Sequence, residues 1–190
     1  MRLFMAIDLS DEARRAIAVE QKRIATALAR SSGTLTLVRP EQLHITLLFL
    51  GELPDARVPA VVEALNIPLD PPAFDIVVEG AGVFPPRGAP RALWIGVTGG
   101  TARLTGLQRE IARVIRERGV AFDDRPFHPH LTLARWRESR SRDRLIALAA
   151  AHAGEIARTH VNRATLYQSR LSSAGPAYTP LAHATLSGTT

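Results

Sequence analysis

Apolar positions recur with two periods along this chain, and the switches between them predict its elements. Residues 2–8 are an apolar run that predicts a first strand, ending at Asp8 and Ser10, both good helix N-cap types. Across residues 11–30, Ala13, Ile17, Ile24 and Leu28 keep helical spacing, with Asp11 and Glu12 where the helix dipole favours acids. Ser31-Ser32-Gly33 ends that helix. Residues 34–38 alternate like a strand, and a turn at Arg39-Pro40-Glu41-Gln42 leads into an apolar run over residues 44–50. Gly51 to Pro54 breaks it. Val58, Val61, Val62 and Leu65 mark a short helix with Pro59 tolerated in its first turn.

After a proline connector, residues 74–79 predict a strand, 84–90 a rigid proline-rich loop and 93–97 another strand. Thr98-Gly99-Gly100-Thr101 predicts a helix start, since it lacks the lysine and glycine spacing of a phosphate loop. Leu104, Leu107, Ile111 and Ile115 give that helix an apolar stripe, and Gly119 stops it. Residues 130–135 form a further strand. Leu145, Leu148 and Ala149 belong to a last helix ended near Gly154, and strands over 164–171 and 178–186 close the chain around a turn at 172–176. Helix, strand, shorter helix and strand thus occur over 11–79 and again over 101–171. Strands mixed with helices without strict alternation predict an α+β fold with largely antiparallel sheets. A pseudo-twofold arrangement would bring the two central strands face to face across a cleft.

Those strands carry one motif twice, His44-Ile45-Thr46-Leu47 and His130-Leu131-Thr132-Leu133. Strand side chains alternate faces. His44 and Thr46 therefore share a face, opposite Ile45, Leu47 and Phe49, and His130 and Thr132 share one opposite Leu131 and Leu133. A lone histidine on a strand is first a structural hydrogen-bonder. Two, each beside a hydroxyl, reverse that preference.

Composition narrows the chemistry. The 190 residues contain no cysteine, which excludes disulfides, thiolate catalysis and zinc–thiolate sites. No apolar run reaches membrane-span length and the N-terminus lacks a signal pattern, so a cytoplasmic location without membrane contact is expected. The net charge is +6, nearly all from arginine, which suits a polyanion but also a generic basic surface. Two imidazoles and two hydroxyls suit phosphodiester hydrolysis: one ring takes a proton from water, the other gives one to the leaving oxygen, and the hydroxyls bind the phosphate. Arg135 is the nearest arginine for those oxygens. Strict parity points it away from His130, so it needs a bulge or the strand end to reach them. His128 with His130 could be a metal pair, but Pro129 disturbs the geometry and no acidic cluster lies near. His152 and His160 read as solvated. Phe49, Phe127, Trp94 and Tyr167 read as core, with base stacking as the alternative for Phe127.

The paired motifs resemble the signature of the 2H phosphoesterase superfamily. More closely, the chain resembles the bacterial and archaeal RNA 2′,3′-cyclic phosphodiesterases, historically called 2′-5′ RNA ligases. Arg2-Leu3-Phe4-Met5-Ala6-Ile7, Arg39-Pro40-Glu41-Gln42-Leu43-His44, Phe49-Leu50-Gly51, Phe127-His128-Pro129-His130 and Leu166-Tyr167-Gln168-Ser169 share in the resemblance. It implies one domain over residues 1–190, with two lobes, a motif in each and a central cleft, and no metal or other cofactor. It implies His44 as proton donor, His130 as proton acceptor, Thr46 and Thr132 on the phosphate, Arg135 in catalysis and a 2′-phosphomonoester product. His183 departs from the pattern, where an aromatic or apolar residue is expected, and bears on local packing alone. The implied partner is RNA with 2′,3′-cyclic phosphate ends or a cyclic nucleotide, with no obligate protein partner. Two alternatives stand beside this: a reversible 2′-5′ RNA ligase, which shares the same transition state, and a non-catalytic basic RNA-binding module.

Overall fold

The computed structural model describes residues 1–29, 31, 33–173 and 175–187. Nine strands and four helices alternate along it: β1 (Arg2–Asp8), α1 (Asp11–Leu28), β2 (Thr34–Leu37), β3 (His44–Glu52), α2 (Val58–Leu65), β4 (Phe74–Phe84), β5 (Ala92–Gly99), α3 (Thr101–Glu117), β6 (His130–Glu138), α4 (Ser141–Ala150), β7 (Glu155–Val161), β8 (Arg163–Ser172) and β9 (Gly175–Thr185). The fold is α+β, with the strands curled into an antiparallel half-barrel flanked by the four helices. Strand order is β7-β4-β5-β6-β3-β1-β8-β9, with β2 added to β6. Two four-stranded halves, β7-β4-β5-β6 and β3-β1-β8-β9, thus abut between the motif strands.

The helices form where apolar spacing predicts them. In α1, Ser10 caps the first turn, its hydroxyl accepting from the Ala13 N–H at 3.1 Å, and Ala13, Ile17, Ile24 and Leu28 are buried. The predicted helix end at Arg30 and Ser32 lies outside the described residues, as does Ala174 of the last turn. In α3, Leu104, Leu107, Ile111 and Ile115 are buried. Gly100 before it has φ of 72°, and a Cβ there would stand 2.3 Å from the Asp75 carbonyl, so this turn requires glycine. In α4 the buried residues are Asp143 and Ala147, while Leu145 and Leu148 are exposed. The core joins α1, α2 and α3 to one face of the sheet. Among the described residues, no helix is long and apolar enough to cross a membrane.

The internal repeat is clearer than the sequence shows. The first unit is β1-α1-β3-α2-β4 and the second β5-α3-β6-α4-β7. The strand closing the second unit is β7, which the sequence left unassigned. It pairs with β4, so each unit places its first two strands together and its last in the β7-β4-β5-β6 half of the sheet.

Candidate active site

β3 and β6 do not oppose one another across a cleft. They lie side by side, antiparallel, and are paired at one position, Ile45 opposite Leu131. Residues directly opposite in an antiparallel pair point to the same face, and their neighbours to the other. Ile45 and Leu131 are fully buried on the core side. His44, Thr46, His130 and Thr132 therefore emerge together on the opposite face, all half-buried.

Both imidazoles are held alike. The His44 Nδ1–H donates to the Gln42 carbonyl at 2.7 Å, and the His130 Nδ1–H to the His128 carbonyl at 2.7 Å. A carbonyl only accepts, so each ring keeps a proton at Nδ1 and presents Nε2 for chemistry. Thr46 Oγ1 lies 3.1 Å from His44 Nε2.

Each motif strand then bulges at the same place. Ala6 faces Thr46 but Met5 faces Leu48; Trp94 faces Thr132 but Leu93 faces Ala134. One extra residue enters each strand, so Leu47 with Leu48, and Leu133 with Ala134, are buried consecutively and the alternation restarts in the opposite phase. This supplies the bulge that Arg135 needs. Its exposed guanidinium acts electrostatically on His44, His130 and Tyr178. Phe49, assigned by alternation to the core face, comes out on the other face instead, its ring 5.9 Å from that of Phe4, and is 43% exposed. The bulge carbonyl of Leu133 accepts from the Val38 N–H at 2.8 Å and from Gln21 Nε2 at 2.7 Å. Gln21 escaped the sequence reading, although its place one turn after Ile17 on the buried stripe of α1 marks it.

Aromatic rings collar both histidines. The His44 ring lies 5.1 Å from Phe4 and 5.4 Å from Tyr178, and the His130 ring 5.1 Å from Phe84 and 6.1 Å from Trp94. Of four aromatic residues expected in the core, Phe127 alone packs against it, half-buried. Trp94 lies against the His130 ring and Tyr167 walls the cavity beside His44, so the rings nearest the imidazoles are not Phe127. The His128 ring packs edge-on against Phe84 and Trp94. Among the described residues, no group of three or more His, Cys, Asp or Glu is placed to hold a metal ion.

Asp8, at the end of β1, lies directly opposite His44. Its carboxylate accepts from the Tyr167 hydroxyl at 2.6 Å and from Thr165 Oγ1 at 2.6 Å. With that hydroxyl proton committed, the His183 Nδ1–H donates to Thr165 Oγ1 at 3.0 Å. His183, expected to matter for packing alone, is thereby tied to the site. A cavity of about 390 Å³ opens beside His44, walled by Asp8, Arg14, Arg39, Gln42, Tyr167 and Tyr178.

Burial pushes both imidazoles below the ordinary histidine value. At His44 the Gln42 carbonyl and Asp8 oppose this, while His130 and Arg135 add to it. At His130 the His128 carbonyl opposes it, while His128 and Arg135 add to it. Burial and the hydrogen bond to Asp8 raise the Tyr167 hydroxyl.

A half-barrel with these two strands at its centre is the fold of a 2H phosphoesterase. The chain belongs to the 2′-5′ RNA ligase superfamily, whose family model matches residues 11–172. It is 36% identical to the RNA 2′,3′-cyclic phosphodiesterase of Aquifex aeolicus over 75% of this chain and 77% of that one. It is 35% identical to the protein of that name from Archaeoglobus fulgidus, over 95% of this chain and 98% of its relative. The crystal structure of E. coli LigT complexed with 3′-AMP superposes with a TM-score of 0.75 at 28% identity, covering 98% of each chain.

Proposed function

We propose that this protein hydrolyses the 2′,3′-cyclic phosphate ends of RNA, or cyclic nucleotides, to 2′-phosphomonoesters, without a metal ion and by paired histidine acid–base catalysis. The observation that carries the proposal is the meeting of two Nδ1-anchored imidazoles and two threonine hydroxyls on one sheet face. The substrate class is supported by relatives named RNA 2′,3′-cyclic phosphodiesterase and by a structural neighbour solved with 3′-AMP.

In this scheme His130 Nε2 takes a proton from water as the water oxygen attacks phosphorus. The bond from phosphorus to the ribose O3′ breaks, and His44 Nε2–H gives its proton to O3′. One proton enters the protein and one leaves, yielding a 2′-phosphate and a 3′-hydroxyl. Thr46 and Thr132 donate to the non-bridging oxygens, and Arg135 adds a charge-assisted contact. Both proton transfers and the charge stabilisation have protein groups, which supports metal independence. Tyr178, against the His44 ring, and Phe49, against Phe4, offer ring faces for a base. The basic surface favours RNA, and the cysteine-free sequence suits action in the cytoplasm.

With a 2′,3′-cyclic nucleotide and excess chelator, the protein yields the 2′-monoester. Loss of activity in chelator, with rescue by one divalent ion, would overturn the metal-free scheme. A 3′-monoester product would overturn the choice of bond. The alternatives separate in the same tube: a ligase joins added 5′-hydroxyl RNA through a 2′-5′ bond faster than it hydrolyses, and a binding module does neither.

A further inference from the structure

β1 stands beside β3 as β5 stands beside β6. Ile7 faces Ile45 as Ile95 faces Leu131. One step along, the likeness fails: Asp8 faces His44, whereas Gly96 faces His130. At this register position a carboxylate is set opposite one imidazole and a glycine opposite the other. The carboxylate is also held in place, each oxygen accepting one hydroxyl, from Tyr167 and from Thr165. Both donors are neutral, so they fix Asp8 without cancelling its charge.

We propose that Asp8 is a positioning residue that keeps the proton of the pair on His44 and off His130, and so decides which imidazole delivers it. This rests on the acid–base reading of the two histidines given above. Burial drives the proton off both rings, and among the described residues Asp8 is the carboxylate that opposes this, at His44 and not at His130.

The other charged and titratable groups around the pair do not substitute for it. His130 and Arg135 of β6 disfavour charge on His44. Arg14 of α1 is paired with Asp11 at 3.1 Å, and Arg39 with Glu41 at 3.5 Å in the turn before β3. Tyr178 of β9 meets His44 with its ring at a right angle. Tyr167 bonds to Asp8 directly, and His183 through Thr165. An opposite charge favours the protonated imidazole, so removing it lowers the pH at which His44 gives up its proton. His44 must be charged and His130 neutral for turnover, so the basic limb of the rate profile moves down while the acid limb stays.

The test is Asp8→Asn, measured by kcat/KM against pH and by NMR titration of the individual imidazoles in the free protein, because coupled limbs alone do not assign residues. Asparagine keeps the size of Asp8 and one acceptor oxygen, and its amide N–H donates to whichever of the two hydroxyls thereby loses its acceptor. Asp8→Ser, also neutral, is the second variant should the first not fold. Tyr167→Phe is the control that loosens the brace and retains the charge. We expect the His44 titration and the basic limb to fall by about one pH unit in the neutral variants, with the His130 titration unmoved and the His44 titration of Tyr167→Phe at its wild-type position. A His44 titration unmoved in Asp8→Asn would overturn the proposal. Equal shifts in Asp8→Asn and Tyr167→Phe would also overturn it, by making Asp8 a brace and not a charge. His44→Ala separates the two levels. Near-wild-type turnover there would overturn the acid–base reading and the proposal with it, whereas an inactive His44→Ala beside an unmoved His44 titration in Asp8→Asn overturns the proposal alone.

Discussion

From the histidine onward, β3 and β6 bury and expose their nine residues in the same order. Both bulge after the motif, and both anchor Nδ1 to the carbonyl two residues back. Around that common frame the residues diverge. Phe49 stands where Arg135 stands, Ala6 faces Thr46 where Trp94 faces Thr132, and Asp8 faces His44 where Gly96 faces His130. The shared backbone fixes where two Nε2 atoms are presented. Rings surround both imidazoles, but the unshared side chains set a carboxylate opposite His44 and glycine opposite His130. A repeated backbone can thus present two like imidazoles while its neighbours give them different surroundings.

The histidines test what the strands share. His44→Ala and His130→Ala should each lower turnover on a cyclic-phosphate RNA end by roughly 10²- to 10⁴-fold. The double variant should lose far less than the product, because groups acting as a unit are not additive. Melting should stay near wild type, since Ile45 and Leu131 hold the strands from the core side. Near-wild-type turnover in either variant, or inactivity explained by unfolding, would end the paired mechanism.

Arg135 tests what they do not share. Arg135→Ala removes a charged donor worth about 1.5–3 kcal/mol, roughly 10- to 100-fold in kcat/KM. Lysine should restore part of it, lacking the planar fork; full activity in Arg135→Ala would place the guanidinium off the phosphate. Thr46→Ala and Thr132→Ala each remove one neutral donor, and a loss of about 10-fold or less is expected. Phe49→Ala, at the position matching Arg135, should raise KM by about 5-fold and leave kcat nearly alone, as loss of a stacking face would. A fall in kcat with KM unchanged would contradict that role.

The smallest effect is on stability. Both imidazoles are lowered in the folded chain. Between those lowered values and about 6.5, the unfolded chain binds protons that the folded chain refuses. Stability therefore rises with pH through that window and is lost on acidification. The melting temperature should fall as the pH drops below about 6.5, and less steeply in the double histidine variant. An unchanged slope would assign the effect to other groups.

The helices were legible because α1 and α3 keep an apolar stripe, and the motif strands because theirs alternate. β7 was not, since its buried positions are Ala157, Thr159 and Val161, small or polar, set between charged residues. β4 runs on past residue 79 through Gly80, Ala81 and Gly82, which look like a break. Gly82 is needed there: a Cβ would lie 2.1 Å from the Trp94 ring. The bulges were hidden for a different reason. One inserted residue interrupts alternation just as the end of a strand does, so Phe49 was assigned to the wrong face and the side taken by Arg135 stayed open. Asp8 looked like a helix cap, but Ser10 does the capping and Asp8 serves the sheet face.

Mechanically, the seam between β3 and β6 is narrow. A sheet whose halves share, among the described residues, the single ladder pair Ile45 with Leu131 behaves as two stiff plates on a slender spine, not as one continuous plate. Each plate is rigid along its own ladders, so each carries its imidazole faithfully, but the gap between the plates is gauged by how two buried aliphatic side chains seat in the wall behind them. The spacing of the two imidazoles is in that sense a tolerance set by the core, and it tightens or slackens with the packing there while every hydrogen bond of the site stays intact.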